Sequence, residues 1–142
     1  MVVRSYNGAA RTACDAYTAL ANGGQVRIYS GTQPAVNGAV PAASQTVLAT
    51  FSLADTAFNA STASGAGAIA TAAGTPITQP QANASGTAGY ASLHQSNGTV
   101  IHTGSVTVTG GGGDYEIQSL SITQGQQVRL TGMTITLPQV SS

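Results

Sequence analysis

Few residues in this chain have types and spacings that suit chemistry. His94 and His102 flank an Asn97-Gly98 dipeptide, Asp114 and Glu116 follow four consecutive glycines at 110 to 113, and Cys14 is the only cysteine. Two histidines across a turn suggest a metal site, but a two-residue turn at Asn97-Gly98 pairs position 93 with 102 and 94 with 101, which sends the rings to opposite faces. A three-residue turn would return them to one face. In either register no third ligand is apparent, so the spacing predicts two ordinary strand histidines and no metal.

Asp114 and Glu116, two apart on a predicted strand, share a face. Carboxylate pairs that hydrolyse glycosides flank a cleft from separate elements among aromatic platforms, and the chain has no Trp. The pair therefore reads as solvated charge at a strand end. The glycine run lacks the Lys-Ser/Thr of a phosphate loop, and the chain has no lysine at all. No G-x-S-x-G occurs. Cys14 sits among small residues beside Asp15, a setting that opposes a thiolate and suits packing. Neither an enzyme nor a cofactor is expected.

The elements that must position these residues are short and mostly β. The chain is 142 residues long, the length of one domain, with net charge zero from four Arg and four acidic residues. Ala, Gly, Ser and Thr account for 75 residues, and Leu, Ile, Val and Phe for 27. That apolar share lies at the level where disorder is suspected, but the neutral charge and alternating clusters indicate a folded domain with a thin core. The scattered arginines form no stripe for phosphates, so no nucleic acid is expected. No stretch approaches the ~18 apolar residues of a membrane span, and the start has no signal-peptide core, so synthesis and folding in a cytoplasm are expected, with no membrane partner. Matches to N-x-S/T at Asn59, Asn83 and Asn97 are chance products of a chain rich in Ser and Thr.

Tyr6, Ala10, Ala13, Tyr17 and Leu20 form one stripe of a helix predicted over about 5–21, with Arg11 and Asp15 paired off that stripe. "NGG" at 22 to 24 ends it and leads into "QVRIYS". Strands are predicted from residue 25 onward: "TVLATFSL", weak ones near 67–71 and 76–78, two around Asn97-Gly98, and others after 115. Val128 and Leu130 differ in parity from Met133, Ile135 and Leu137, which predicts a β-bulge near Thr131-Gly132. The whole reads as mainly β, a β-sandwich or jelly-roll-like single domain over 1–142 with one short N-terminal helix. Contact surface is then assigned to Tyr6 and Tyr17 on the helix, Tyr29 facing away from Val26 and Ile28, and Gln33, Pro34, Val36, Val40 and Pro41 in the long loop 31–45.

"RIYSGTQP", "LATFSL" with "AF" after it, "GTAGYASLHQSNGT" before the hairpin and the closing "QQVRLTGMTITLP" resemble a group of small Ala/Gly/Thr-rich structural proteins of tailed bacteriophages. That group carries a larger aromatic where this chain has Tyr90 and acidic residues where it has Ser96-Asn97. The resemblance implies a virion component of β-sandwich type. Its first form is a capsid decoration, or cement, protein on the outer capsid surface, a dimer or trimer whose partner is the major capsid protein. A tail, neck or fibre component and a carbohydrate-binding adhesin-like module are the alternatives. Copies with so little charge repel each other weakly, which suits an assembly.

Overall fold

The computed structural model describes residues 7–35, 45–64, 67–71 and 80–138. One helix, α1 (Asn7–Ala19), precedes β1 (Gln25–Ser30), β2 (Val47–Ser52), β3 (Thr62–Ser64), β4 (Gly67–Thr71), β5 (Gly86–His94), β6 (Val100–Val108), β7 (Tyr115–Ile117), β8 (Ser121–Ile122) and β9 (Leu130–Pro138). The protein is mainly β, with one short helix. Its strands hydrogen-bond in the order β2-β1-β5-β6-β7-β9-β4-β3, with β8 on the start of β5, and this mixed sheet curls. The helix packs on β4, β9 and β3.

Glycines fix both ends of the β1–β5 ladder. Gly23 takes φ +67° to end the helical turn, and a Cβ on Gly24 would stand 2.0 Å from the His94 carbonyl oxygen. At the far end a Cβ on Gly89 would stand 1.7 Å from the Gly31 carbonyl oxygen. Backbones approach this closely only where no side chain intervenes. "QVRIYS" is therefore bracketed by glycine because its neighbour strand touches it at each end.

The glycine run at 110 to 113 makes an unusual connection. β6 and β7 are parallel neighbours, with Val106 opposite Tyr115 and Val108 opposite Ile117. Parallel neighbours ordinarily need a crossover of about a dozen residues or more. Here residues 109 to 114 suffice, because Gly110 and Gly112 take φ +85° and +83°, and Cβ atoms on Gly111 and Gly113 would lie 2.8 Å from Thr107. The phosphate-loop lookalike is a compressed crossover.

The hairpin turn differs from the two-residue form expected. Gln95 N–H donates to Thr99 O and Gly98 N–H to Gln95 O, leaving three loop residues with Gly98 at φ +90°. Asn97 uses its side chain to accept from Thr99 N–H at 2.9 Å instead of adopting the second left-handed position. A three-residue loop alone would put both histidines on one face. A bulge intervenes, pairing Leu93 with His102 but His94 with Val100, so the rings face opposite ways after all.

The bulge expected near Thr131 is present: Glu116 pairs with Gly132 and Ile117 with Leu130, leaving Thr131 as the extra residue. It brings Leu130, Met133 and Ile135 to the interior together. The core also holds Val26, Ile28, Phe51, Leu93 and Ile117, all fully enclosed. The predicted weak strand at 67–71 is β4; the one at 76–78 and Leu137's side chain lie outside the described residues.

The helical stripe is displaced by one position from the expected one. Cys14, Thr18 and Ala21 are buried and Tyr17 half-buried, whereas Ala13 is exposed and Leu20 46 % exposed. Small side chains let the helix seat closely, and a larger Leu at that contact would hold it off. Arg11 and Asp15 converge on Ser61: Arg11 Nε–H donates to Ser61 O at 3.1 Å, and Asp15 Oδ1 accepts from Ser61 N–H at 2.7 Å. Ser61 Oγ–H donates back to Arg11 O.

Candidate functional site

Both faces of β1 and β5 are covered, and each carries one histidine network. On the core face, His102 of β6 stands between two tyrosines. Tyr17 Oη lies 2.7 Å from His102 Nδ1, and Tyr115 Oη lies 2.8 Å from His102 Nε2. The Tyr17 and His102 rings are 6° from parallel with centroids 5.8 Å apart. The helix α1 is thereby joined to the consecutive strands β6 and β7. Burial holds the His102 ring below the usual imidazole range, with Asp114's charge opposing it. Burial also raises the Tyr17 and Tyr115 hydroxyls above the phenol range.

On the other face, Ser92 and His94 are sealed. His94 Nδ1 lies 3.0 Å from Gly98 O, a carbonyl that only accepts, so Nδ1 carries the proton. His94 Nε2 then accepts from Ser92 Oγ–H at 2.6 Å. A serine donating to a histidine is the geometry of an activated nucleophile, but Ser92 is 0 % and His94 2 % exposed. The pair locks the hairpin turn to its strand. Burial pushes the His94 ring below its ordinary range, and Arg27's charge adds to that.

Asp114, Glu116, Gly112, Gly113, Gly132 and Thr134 line a cleft of about 290 Å³. Both carboxylates are already engaged. Asp114 Oδ2 accepts from Ser105 N–H at 3.0 Å and Ser105 Oγ–H at 3.1 Å, and Glu116 Oε2 accepts from Gly112 N–H at 3.0 Å. They staple the short crossover. Among the described residues there is no group of three His, Cys, Asp or Glu side chains placed to hold a metal ion.

Of the residues assigned to contact surface, Tyr29 needs correction. Tyr29 does face away from Val26 and Ile28, but that side is not solvent: it is fully buried, stacked on Tyr90 at 5.0 Å. Tyr17 is half-buried and bonded to His102. Gln33 is exposed, yet its Nε2–H donates to Thr103 Oγ1 at 3.0 Å across the sheet, and Pro34 is half-buried. Tyr6, Val36, Val40 and Pro41 lie outside the described residues. Cys14 is buried, its thiol pushed up by burial and then by Asp15. Gln45 was not singled out, yet it anchors the far end of the long loop: Tyr90 Oη–H donates to Gln45 Oε1 at 2.6 Å, and Gln45 Nε2–H donates to Thr32 O. Nothing in its spacing announces that role.

Protein-family models, curated proteins and solved structures contain no match to this chain. No helix among the described residues is long and apolar enough to cross a membrane.

Proposed function

We propose that the protein is a non-enzymatic structural component of a tailed-phage virion, and specifically a decoration protein that binds the major capsid protein on the outside of the shell. The observation that carries this reading is the anchoring of the segment between Gln33 and Gln45. Both of its feet are hydrogen-bonded to the sheet, Gln33 through Thr103 and Gln45 through Tyr90, and Gln45 also bonds Thr32 beside the first foot. Anchored feet fix where the intervening residues leave the sheet, which removes part of the ordering cost of binding through them. Those residues, "AVNGAVPAAS" from Ala35 to Ser44, carry no charge, which suits burial against a neighbouring subunit. The side chains with catalytic potential are meanwhile used to brace strands and turns.

Weak contacts repeated under shell symmetry, by a dimer or trimer, give strong total binding. The carbohydrate-binding alternative needs exposed aromatic platforms, and its two candidates, Tyr90 and Tyr115, are 0 % and 1 % exposed. The tail, neck or fibre alternative is separated by copy number. Purified particles are split into heads and tails and the chain is quantified against the major capsid protein. Head association at a simple ratio to the shell subunit supports decoration; tail association at tens of copies per particle overturns it. Deleting residues 35–43 is expected to abolish capsid binding while leaving the β-sheet circular dichroism intact.

A further inference from the structure

We infer that the Tyr17–His102–Tyr115 chain is an acid-released latch: neutral His102 holds α1 against the sheet, and protonation of its ring lets the helix undock and uncovers Cys14.

The argument begins with proton counting. A neutral imidazole has one N–H and one lone pair, and each tyrosine hydroxyl is able to donate or accept. Tyr115 is 1 % exposed, and its hydroxyl has only His102 Nε2 as a partner among the described residues. Its proton must therefore go to that nitrogen. Nδ1 then carries the hydrogen and donates to Tyr17 Oη, whose own proton is free to reach water because Tyr17 is half-exposed. The chain is complete in this one arrangement.

Adding a proton puts a second N–H on Nε2, facing the Tyr115 hydroxyl. The hydroxyl turns to accept, and its hydrogen is left without an acceptor in the core. The ring also becomes a cation with no carboxylate bonded to it. The groups that meet it are Tyr17 of α1, Leu93 of β5, Tyr115 of β7 and the charge of Asp114 just before that strand. Asp114 attracts the cation but is spent on Ser105. Arg11 and Asp15 of α1 are turned to Ser61. Burial outweighs the Asp114 charge, so the docked ring titrates below its ordinary value.

The sign follows from linkage. The undocked state, with His102 in water, binds the proton near the ordinary imidazole value of about 6.5; the docked state binds it only at lower pH. Docking is thus at full strength above that value and weakens as pH falls through it, levelling off once the docked ring is also protonated. One pH unit below the ordinary value, the open population rises by up to about tenfold. Cys14, fully buried under α1, reports the opening. The latch stands apart from the virion reading and holds or fails without it.

The test is thiol labelling with 4,4′-dithiodipyridine, which reacts in acid, on the full chain between pH 8 and 5, with rates divided by those of the denatured chain. The wild type is expected to label up to about tenfold faster at pH 5.5 than at pH 7.5 while its near-ultraviolet tyrosine signal persists. His102→Gln, which keeps a donor and an acceptor but does not titrate, is expected to be flat within about twofold, and His94→Gln to retain the rise. Tyr17→Phe supplies an independent check: faster labelling at pH 7.5 and a shallower pH profile. A flat wild-type profile, an equal rise in His102→Gln, or labelling only when the whole protein unfolds would each overturn the latch.

Discussion

The two faces of the β1–β5–β6 sheet each carry a histidine, His94 buried and His102 half-buried, and they use it in opposite ways. On the face of Ser92 the histidine bonds residues two and four positions away, and the network closes within one hairpin. On the core face His102 bonds residues 85 and 13 positions away, tying the helix to two strands. Local wiring stiffens an element that its own sequence already favours. The Tyr17–His102 bond instead closes a large loop, and it stabilises only after that loop's entropy has been overcome. The first network should therefore be hard to loosen without losing the hairpin, whereas the second is able to release one element and leave the sheet standing.

The harshest way to break the comparison is at Gly24, where a methyl group would collide with the His94 backbone carbonyl, which cannot swing aside. Gly24→Ala is expected to cost about 3 kcal/mol through overpacking, measured by urea unfolding. A cost under about 1 kcal/mol would mean that the end of β5 is loose and the hairpin not tightly wired. Next come the two histidines. His94→Ala leaves Ser92 Oγ, fully buried, without its acceptor and opens a sealed cavity, for about 2–3 kcal/mol. His102→Ala orphans Tyr115 but lets water reach Tyr17, for about 1–2 kcal/mol. Hydrogen exchange sharpens the contrast: His94→Ala should speed exchange in β5 and β6, and His102→Ala in α1. The reverse pattern would dissolve the distinction.

This asymmetry also governs what was legible in the residues. The helix stop at Asn22-Gly23-Gly24, the strand at Gly67–Thr71 and the bulge at Thr131 all follow from local parity and glycine placement. The β6–β7 crossover was not legible, since short connections ordinarily join antiparallel strands and no spacing says that four glycines are compressing a parallel one. Nor was the Tyr17–His102 contact, because no periodic signal relates residues so far apart. The buried helix face departs by one position from the Tyr6–Leu20 stripe because Cys14, Thr18 and Ala21 allow a closer approach than Leu20 would. Tyr29 shows the limit of alternation: parity correctly gave its side of the sheet but was silent on whether that side is covered.

Tyr29 also provides the smallest effect and the only one of favourable sign. Its ring is stacked on Tyr90, but its hydroxyl is buried and has no hydrogen-bond partner among the described residues. Tyr90, beside it, donates its hydroxyl hydrogen bond to Gln45 Oε1. Two neighbouring tyrosines thus differ by one satisfied bond. Removing the Tyr29 oxygen keeps the stack and relieves an uncompensated polar group, so Tyr29→Phe is expected to stabilise the fold by up to about 1 kcal/mol. Tyr90→Phe strands Gln45 Oε1 at a half-exposed site where water substitutes, and it is expected to cost about 0.5–1 kcal/mol. Thermal unfolding of the pair measures both signs at once. If Tyr29→Phe instead lowers the melting temperature by several degrees, its hydroxyl has a partner and the two stacked tyrosines do not differ by a satisfied bond.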